Sequence, residues 1–316
     1  MATGSGPTPA LPRFQLREVR AFLVLVSELH FGRAALRLAT SQSALSRTIR
    51  NLEEAVGASL LERTTRHVRL TSAGEAFASE CGVALSHLAR AGRAAVDAAN
   101  GHGGRLRVGY MDFAINGVLP SLLQRFRSRF PRVVLDLEYS PSSRQRQALL
   151  EGRIDIGFVI GESAAPRVRQ LPIQQHAFVA LLPDTHALAC AGEVHLAELA
   201  AEDFVMGTEE AFGTFRRLFF PLCHGAGFFP NIVQEASNSS GIFGLVAAGA
   251  GVSVYADCAR NAARMGVVVR PLAGVRERIP TYAAWVEDNP SEALRSFQRF
   301  LAEAQAQAPA DSFTPT

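Results

Sequence analysis

Lysine is missing altogether: the 32 basic residues of this 316-residue chain are all arginine. We place no functional weight on that exchange of one cation for another. The lack of any apolar run near the roughly 18 residues of a membrane-spanning helix excludes more, since it leaves no membrane partner. The first twelve residues have neither a basic start nor an apolar stretch after it. They read as a flexible tail rather than a secretory leader, and residues 307–316 read as a second tail. Cysteine is scarce. Cys81, Cys190, Cys223 and Cys258 are scattered without C-x-x-C spacing, the usage of a reduced, cytoplasmic chain. Cys190 and Cys223 lie 33 residues apart, which speaks against a peroxide-sensing thiol pair. The eight histidines show no metal-ligand spacing, so no metal is expected. Gly249-Ala250-Gly251 lacks the third glycine of a dinucleotide fingerprint and precedes a strand, so no cofactor is expected either. Cys223 and His224 are adjacent in sequence and so poorly placed as nucleophile and base. With no better constellation visible, an enzyme is not expected.

What is present is unevenly distributed. The length allows about two or three domains. Residues 13–69 carry ten arginines against five glutamates, a net +5, whereas the whole chain is only +3. A basic end on a near-neutral body points to a polyanion partner for that end. Val19, Phe22, Leu23 and Val26 recur at helical spacing within Leu16 to Glu28. A second helix begins at Phe31, with Ala34, Ala35 and Leu38 on one face. Thr40-Ser41 offers capping chemistry for a third, carrying Ala44, Leu45, Ile49 and Leu52. Two short helices, a tight turn and arginines on the second one's polar face predict a helix-turn-helix. Leu60 to Leu70 reads as a hairpin with a basic tip, a wing.

A further helix is expected from about Thr71 to Asn100, opened by a Ser72–Glu75 capping box. Its inner positions Phe77, Cys81, Ala84, Leu88, Ala91, Ala95 and Ala98 alternate steps of four and three, an uninterrupted coiled-coil seam. Gly101 to Gly104 ends it as a hinge. From Arg105 the pattern changes to strands alternating with helices, which predicts βαβ units and a mostly parallel sheet.

Four blocks now carry a family resemblance: Ala34 to Leu38, Ser41 to Glu53, Leu61 to Thr64, and Leu70 to Glu75. Together they resemble the signature of LysR-type transcriptional regulators. Leu149 to Gly157 and Gly244 to Val252 fit the same family. Two departures stand out: Ser43 where the family often has proline, and His30-Phe31-Gly32 where Ser-Phe-Thr is commoner. The segment Glu28 to Ala35 is similar to regulators of aromatic-compound breakdown.

The resemblance implies a two-part α/β protein. Residues 13–71 form a winged helix-turn-helix, and residues 72–101 a linker and dimerisation helix. Residues 102–306 form an effector domain like a periplasmic binding protein, with one subdomain at 102–172 and 279–306 and the other at 173–278. It puts Gln42, Ser43, Ser46 and Arg47 at the major groove. Gln can pair with adenine and Arg with guanine, while Ser41 and Ser46 can reach phosphate. Arg50 is placed for the DNA backbone, and Arg63 and Arg66 for the wing. Phe77, Cys81, Ala84, Leu88, Ala91 and Ala95 would pair two chains. The effector would lie between the subdomains, against Asp112 and Phe113 on one side. Ser142 and Ser143, Gly207 and Thr208, and Asn238 and Ser239 would complete its site. The implied partners are double-stranded promoter DNA, a small organic effector of the organic-acid class, and further copies of the chain as a dimer of dimers. RNA polymerase is counted among the candidate partners. A solute-binding protein on the same effector fold is the main rival reading, and residues 13–71 argue against it.

Overall fold

The computed structural model describes residues 13–63, 68–99, 104–162, 165 and 167–306. The wing tip at Thr64–His67, the glycine hinge at 101–103 and both proposed tails lie outside the described residues. The chain forms two units, divided between Gly92 and Arg93.

In the first unit α1 spans Leu16–Glu28, α2 Phe31–Arg37 and α3 Gln42–Val56. The apolar stripe read from the sequence is the buried one. Phe22 and Leu25 of α1, Ala34 and Ala35 of α2, and Leu45, Ile49 and Leu52 of α3 form one core. Burying seven such side chains, at about 1.5–3 kcal/mol for each large one, sets the pitch of the three helices. Their ends are marked chemically. Ser41 Oγ accepts from the Ala44 N–H at 3.2 Å and starts α3. Gly57, at φ +78°, stops it. At α2 the cap is the His30 imidazole, whose Nδ1 accepts from the Arg33 N–H at 3.2 Å. Strands β1 (Leu61–Arg63) and β2 (Val68–Leu70) pair antiparallel as the wing.

Helix α4 spans Ser72–Ala99. Its cap is Thr71, not the expected Ser72–Glu75 box. Thr71 Oγ1 accepts from the Gly74 N–H at 2.9 Å and donates to the Ser59 carbonyl at 2.7 Å. The helix starts one residue earlier than that box requires, so Ser72 is already inside the first turn.

The second unit is built on β3 (Arg105–Tyr110), α5 (Asp112–Ile115), α6 (Leu119–Arg129), β4 (Val134–Tyr139), α7 (Ser142–Leu150) and β5 (Ile156–Ile160). The chain then runs through β6 (Val168–Pro183), β7 (Val194–His195), β8 (Asp203–Gly207), α8 (Glu209–Gly225), β9 (Asn231–Ala236) and α9 (Ser239–Ala247). It closes with β10 (Ser253–Ala256), β11 (Val267–Ala273), β12 (Arg278–Val286) and α10 (Glu292–Ala306). The main sheet has the order β4-β3-β5-β12-β6-β11-β7, with β10 also on β6. β3 pairs parallel with β4 and β5, but β12 and β6 run antiparallel to their neighbours. The sheet is therefore mixed rather than mostly parallel, because the chain crosses between two subdomains and returns along the same strip.

Each subdomain has its own core. Leu106, Phe126, Phe158 and Phe297 centre the first, and Phe178, Phe204, Phe215 and Tyr255 the second. One close approach seats α7. Gly157 of β5 leaves room for the buried Gln145 amide, which a Cβ there would meet at 2.8 Å. Gln145 Nε2 in turn donates to the Ser140 carbonyl at 2.8 Å. The first turn of α7 is thereby held at the carboxyl ends of the parallel strands, where ligands of open α/β sheets lie.

Candidate functional site

The DNA-facing candidates lie on the polar side of α3. Leu45, Ile49 and Leu52 are turned into the core, which leaves Gln42, Ser43, Arg47 and Arg50 exposed and Ser46 half-buried. Ser41 and Ser43 hydroxyls sit 3.1 Å apart at the helix start. A serine at 43 thus serves the first turn where a proline would have supplied only its fixed φ. The two arginines of α2 are engaged elsewhere: Arg33 Nε lies 3.2 Å and Arg37 Nη1 3.1 Å from Glu28. Arg47 and Arg50 have no such partner among the described residues, so their donors are available to bases and phosphates. Arg63 stands in β1, and Arg66 lies outside the described residues.

Sequence reasoning passed over Glu53. Its Oε1 accepts from the N–H groups of Leu60 and Leu61 at 2.8 and 3.1 Å, tying the recognition helix to the root of the wing. A glutamate followed by an apolar pair seven residues on gives no local signal of this.

The dimerisation seam is divided. Phe77 packs edge-on to Phe14 and Phe22, and Cys81 is buried, so both serve the core of their own unit. Ala84, Leu88, Ala91 and Ala95 are exposed, Leu88 by 51%. The expectation that all six face a partner is corrected for Phe77, which the adjacent aromatic rings claim, and for Cys81, which is buried within its own chain.

In the second unit a cavity of about 250 Å3 opens between the first turns of α7 and α8. Ser142, Ser143, Met111 and Ile160 line one side, and Glu209, Glu210, Thr214 and Arg217 the other. Ser142 Oγ accepts from the Ile160 N–H at 3.1 Å. No side chain caps α7, so its first N–H groups are free to meet a ligand acceptor. Arg144 pairs with Glu210 across the cleft. The charged pair Glu209 and Glu210 was not singled out from the sequence, since acids in a first helical turn ordinarily answer the helix dipole.

The remaining expected residues are not on the lining of this cavity. Thr208 caps α8 through Ala211 N–H at 3.3 Å, and Asn238 caps α9 through Gly241 N–H at 2.9 Å. Gly207 packs under the Phe212 ring. Phe113 is fully buried, with ring contacts to Phe212, Phe215 and Tyr255. It is therefore a core residue here and not the expected apolar wall. Asp112 is 8% exposed and is not among the residues that line the cavity. It accepts from Tyr139 Oη at 2.7 Å and Ser239 Oγ at 2.7 Å. Burial, and then the bond to Asp112, hold the Tyr139 phenol well above its usual range.

Of the thiols, Cys190 is exposed while Cys223 and Cys258 are buried. Burial pushes Cys223 up to about 12, leaving an unreactive thiol. Among the described residues no cluster of three His, Cys, Asp or Glu side chains could hold a metal, and no helix is long and apolar enough to cross a membrane.

Comparison with known proteins bears on both units. The profile described as "Bacterial regulatory helix-turn-helix protein, lysR family" matches residues 16–75, and "LysR substrate binding domain" matches residues 99–306. The chain is 34% identical over 283 residues to the HTH-type transcriptional regulator AlsR of Bacillus subtilis, covering 90% of this chain and 94% of AlsR. It is 32% identical over 294 residues to the Hca operon transcriptional activator HcaR of Escherichia coli, covering 92% and 98%. The crystal structure of full-length CbnR with its target DNA superposes with a TM-score of 0.65, at 24% identity, over 92% of this chain and all of that one.

Proposed function

Since the chain belongs to the LysR family of bacterial transcriptional regulators, we propose here how it reads DNA and where it senses its effector. It is a sequence-specific DNA-binding regulator with an effector-binding domain, not an enzyme. In our reading α3 enters the major groove, with Gln42 and Arg47 on base edges and Ser46, Arg50 and the Ser41 end on phosphates. Arg63 and Arg66 of the wing take the adjacent backbone or minor groove. The observation that carries this is the division of α3 into a buried apolar face and an exposed face whose arginines have no partner in the described protein.

Replacing Arg47 by Ala should cost about 1–3 kcal/mol at the cognate site and relax discrimination at one base pair. Arg50→Ala should instead weaken all duplexes alike and flatten the salt dependence. Titrating each variant against promoter and random DNA at several salt concentrations separates the two; an equal loss for Arg47→Ala on both duplexes removes it from base reading.

Two chains pair through the exposed part of α4, which sets two copies of α3 on a two-fold site. A second contact between effector domains makes a dimer of dimers. Leu88→Glu puts a charge into that seam and should halve the mass seen by light scattering, while an unchanged mass excludes the seam.

The effector binds between the subdomains, in the cavity at the α7 and α8 amino termini. The uncapped N–H groups of α7, with Ser142 and Ser143, suit the acceptor oxygens of a small organic acid. Glu28 to Ala35 supports a placing among regulators of aromatic-compound breakdown. The protein works in the cytoplasm, where its promoter is, with RNA polymerase as a further partner. Thermal-shift screening of the full chain against small organic acids tests the effector class.

A further inference from the structure

The cleft that we read as the effector site is already stitched at one end by the protein itself. Asp112 follows β3 in the first subdomain, and Ser239 opens α9 in the second. Ser239 donates to Asp112 Oδ1 through its hydroxyl at 2.7 Å and faces Oδ2 with its N–H at 3.4 Å. Tyr139 Oη donates to the same Oδ2 at 2.7 Å. Asp112 and Ser239 are 8% and 5% exposed, so these bonds form out of water, where charge-assisted bonds are strongest. The first N–H of a helix and a hydroxyl beside it are the donors a ligand carboxylate would seek. Here a side-chain carboxylate from across the cleft has taken them.

A second acceptor waits beside this contact. The Tyr255 hydroxyl is fully buried next to Ser239 but makes no hydrogen bond of normal geometry among the described residues. Burial first, and the nearby Asp112 charge next, hold that phenol well above its usual range, so it stays a hydroxyl able to accept from Ser239. Ser239 therefore has one partner with Asp112 in place, and a second acceptor beside it that its hydroxyl would meet were Asp112 to withdraw. That is a two-position element of the sort that switches need.

We propose that Asp112 is a tethered carboxylate that closes the cleft in place of a ligand group. The effector then needs no anionic group at the start of α9, and specificity rests on the 250 Å3 cavity between α7 and α8. This rests on reading the cleft as the effector site, but its test does not require the effector.

Asp112→Gly in the full chain leaves a hole of carboxymethyl shape, and sodium acetate is the probe that fits it. The variant should lose roughly 5–10 °C in the thermal midpoint of its effector domain. Acetate should restore most of that loss, sodium chloride at equal ionic strength should not, and the wild type should gain far less from acetate. Asp112→Ala and Ser239→Ala, each of which removes one partner of the bond, complete a double-mutant cycle. The double variant should be less destabilised than the two singles together, because either change alone breaks the same contact. An equal acetate response in wild type and Asp112→Gly, or an additive cycle, overturns the proposal. If acetate rescue and coupling appear while neither Asp112 variant alters DNA binding, the tethered carboxylate stands and the cleft loses its role as the sensor.

Discussion

Gly74→Ala should abolish DNA binding by unfolding the first unit, at a cost of about 4 kcal/mol or more, in the range that only backbone or core conflicts reach. A Cβ on Gly74 would stand 2.0 Å from the Leu60 carbonyl oxygen and 2.9 Å from its carbon. Nothing flexible can move aside, since both contacts are backbone. Leu60 is fully buried, and its N–H is held by Glu53. Relief would have to pull α4 off the wing root, breaking the Thr71 cap as well. Gly57 is the control. It adopts φ +78° but has no atom within 4 Å of an added Cβ, so alanine there costs only the left-handed backbone, about 1–2 kcal/mol. Calorimetry of the full chain should show the first unit's transition lowered or lost in Gly74→Ala and the effector domain's unchanged. A Gly74→Ala protein that binds promoter DNA at wild-type strength would show that the close approach is not there.

The second large effect is expected at Asp155. It is 2% exposed and accepts three bonds from Arg107: the backbone N–H at 2.9 Å, Nε at 3.1 Å and Nη2 at 2.8 Å. The Arg107 side chain is itself only 13% exposed. Removing the carboxylate strands a guanidinium out of water, which costs about 3–5 kcal/mol, more than the intact pair contributes net. In a domain of this size that is a fall of roughly 6–20 °C in thermal midpoint. Arg153 is two residues away and pairs with Glu151, but it is 52% exposed. Arg153→Ala should therefore change stability by less than about 1 kcal/mol. Similar melting losses for Asp155→Ala and Arg153→Ala would mean that burial does not set the difference.

How much was readable follows from the range of each interaction. Helices α1 to α3 were legible because their apolar residues recur at three and four and their caps lie within three residues. The first half of β6 was not. Arg169, Gln170, Pro172, Gln174, Gln175 and His176 show no alternation, because this stretch is a crossover strand rather than one face of a core. Ser142 and Ser143 were expected at the effector site by resemblance, and both line the cavity between α7 and α8 that we propose for it. Asp112 was read as a ligand contact by resemblance, and its partners, Tyr139 and Ser239, lie 27 and 127 residues away. Only the folded chain brings those hydroxyls to it. The same holds for Phe77, whose helical spacing cannot say whether its neighbour belongs to another chain or to its own α1.

The two strands that join the subdomains have a mechanical consequence. β6 and β12 run side by side from one subdomain into the other, paired from Arg278↔Ala177 to Val286↔Val168. Such a ribbon resists shear and stretch, because every ladder bond opposes them, yet bends easily across its thin direction. The register slips between Thr281 and Tyr282, and a proline stands in each strand, Pro172 in β6 and Pro280 in β12. Prolines cannot donate to the ladder, so compliance is concentrated there. On that geometry the effector domain should bend as a leaf spring does, most easily at this one place in the ribbon.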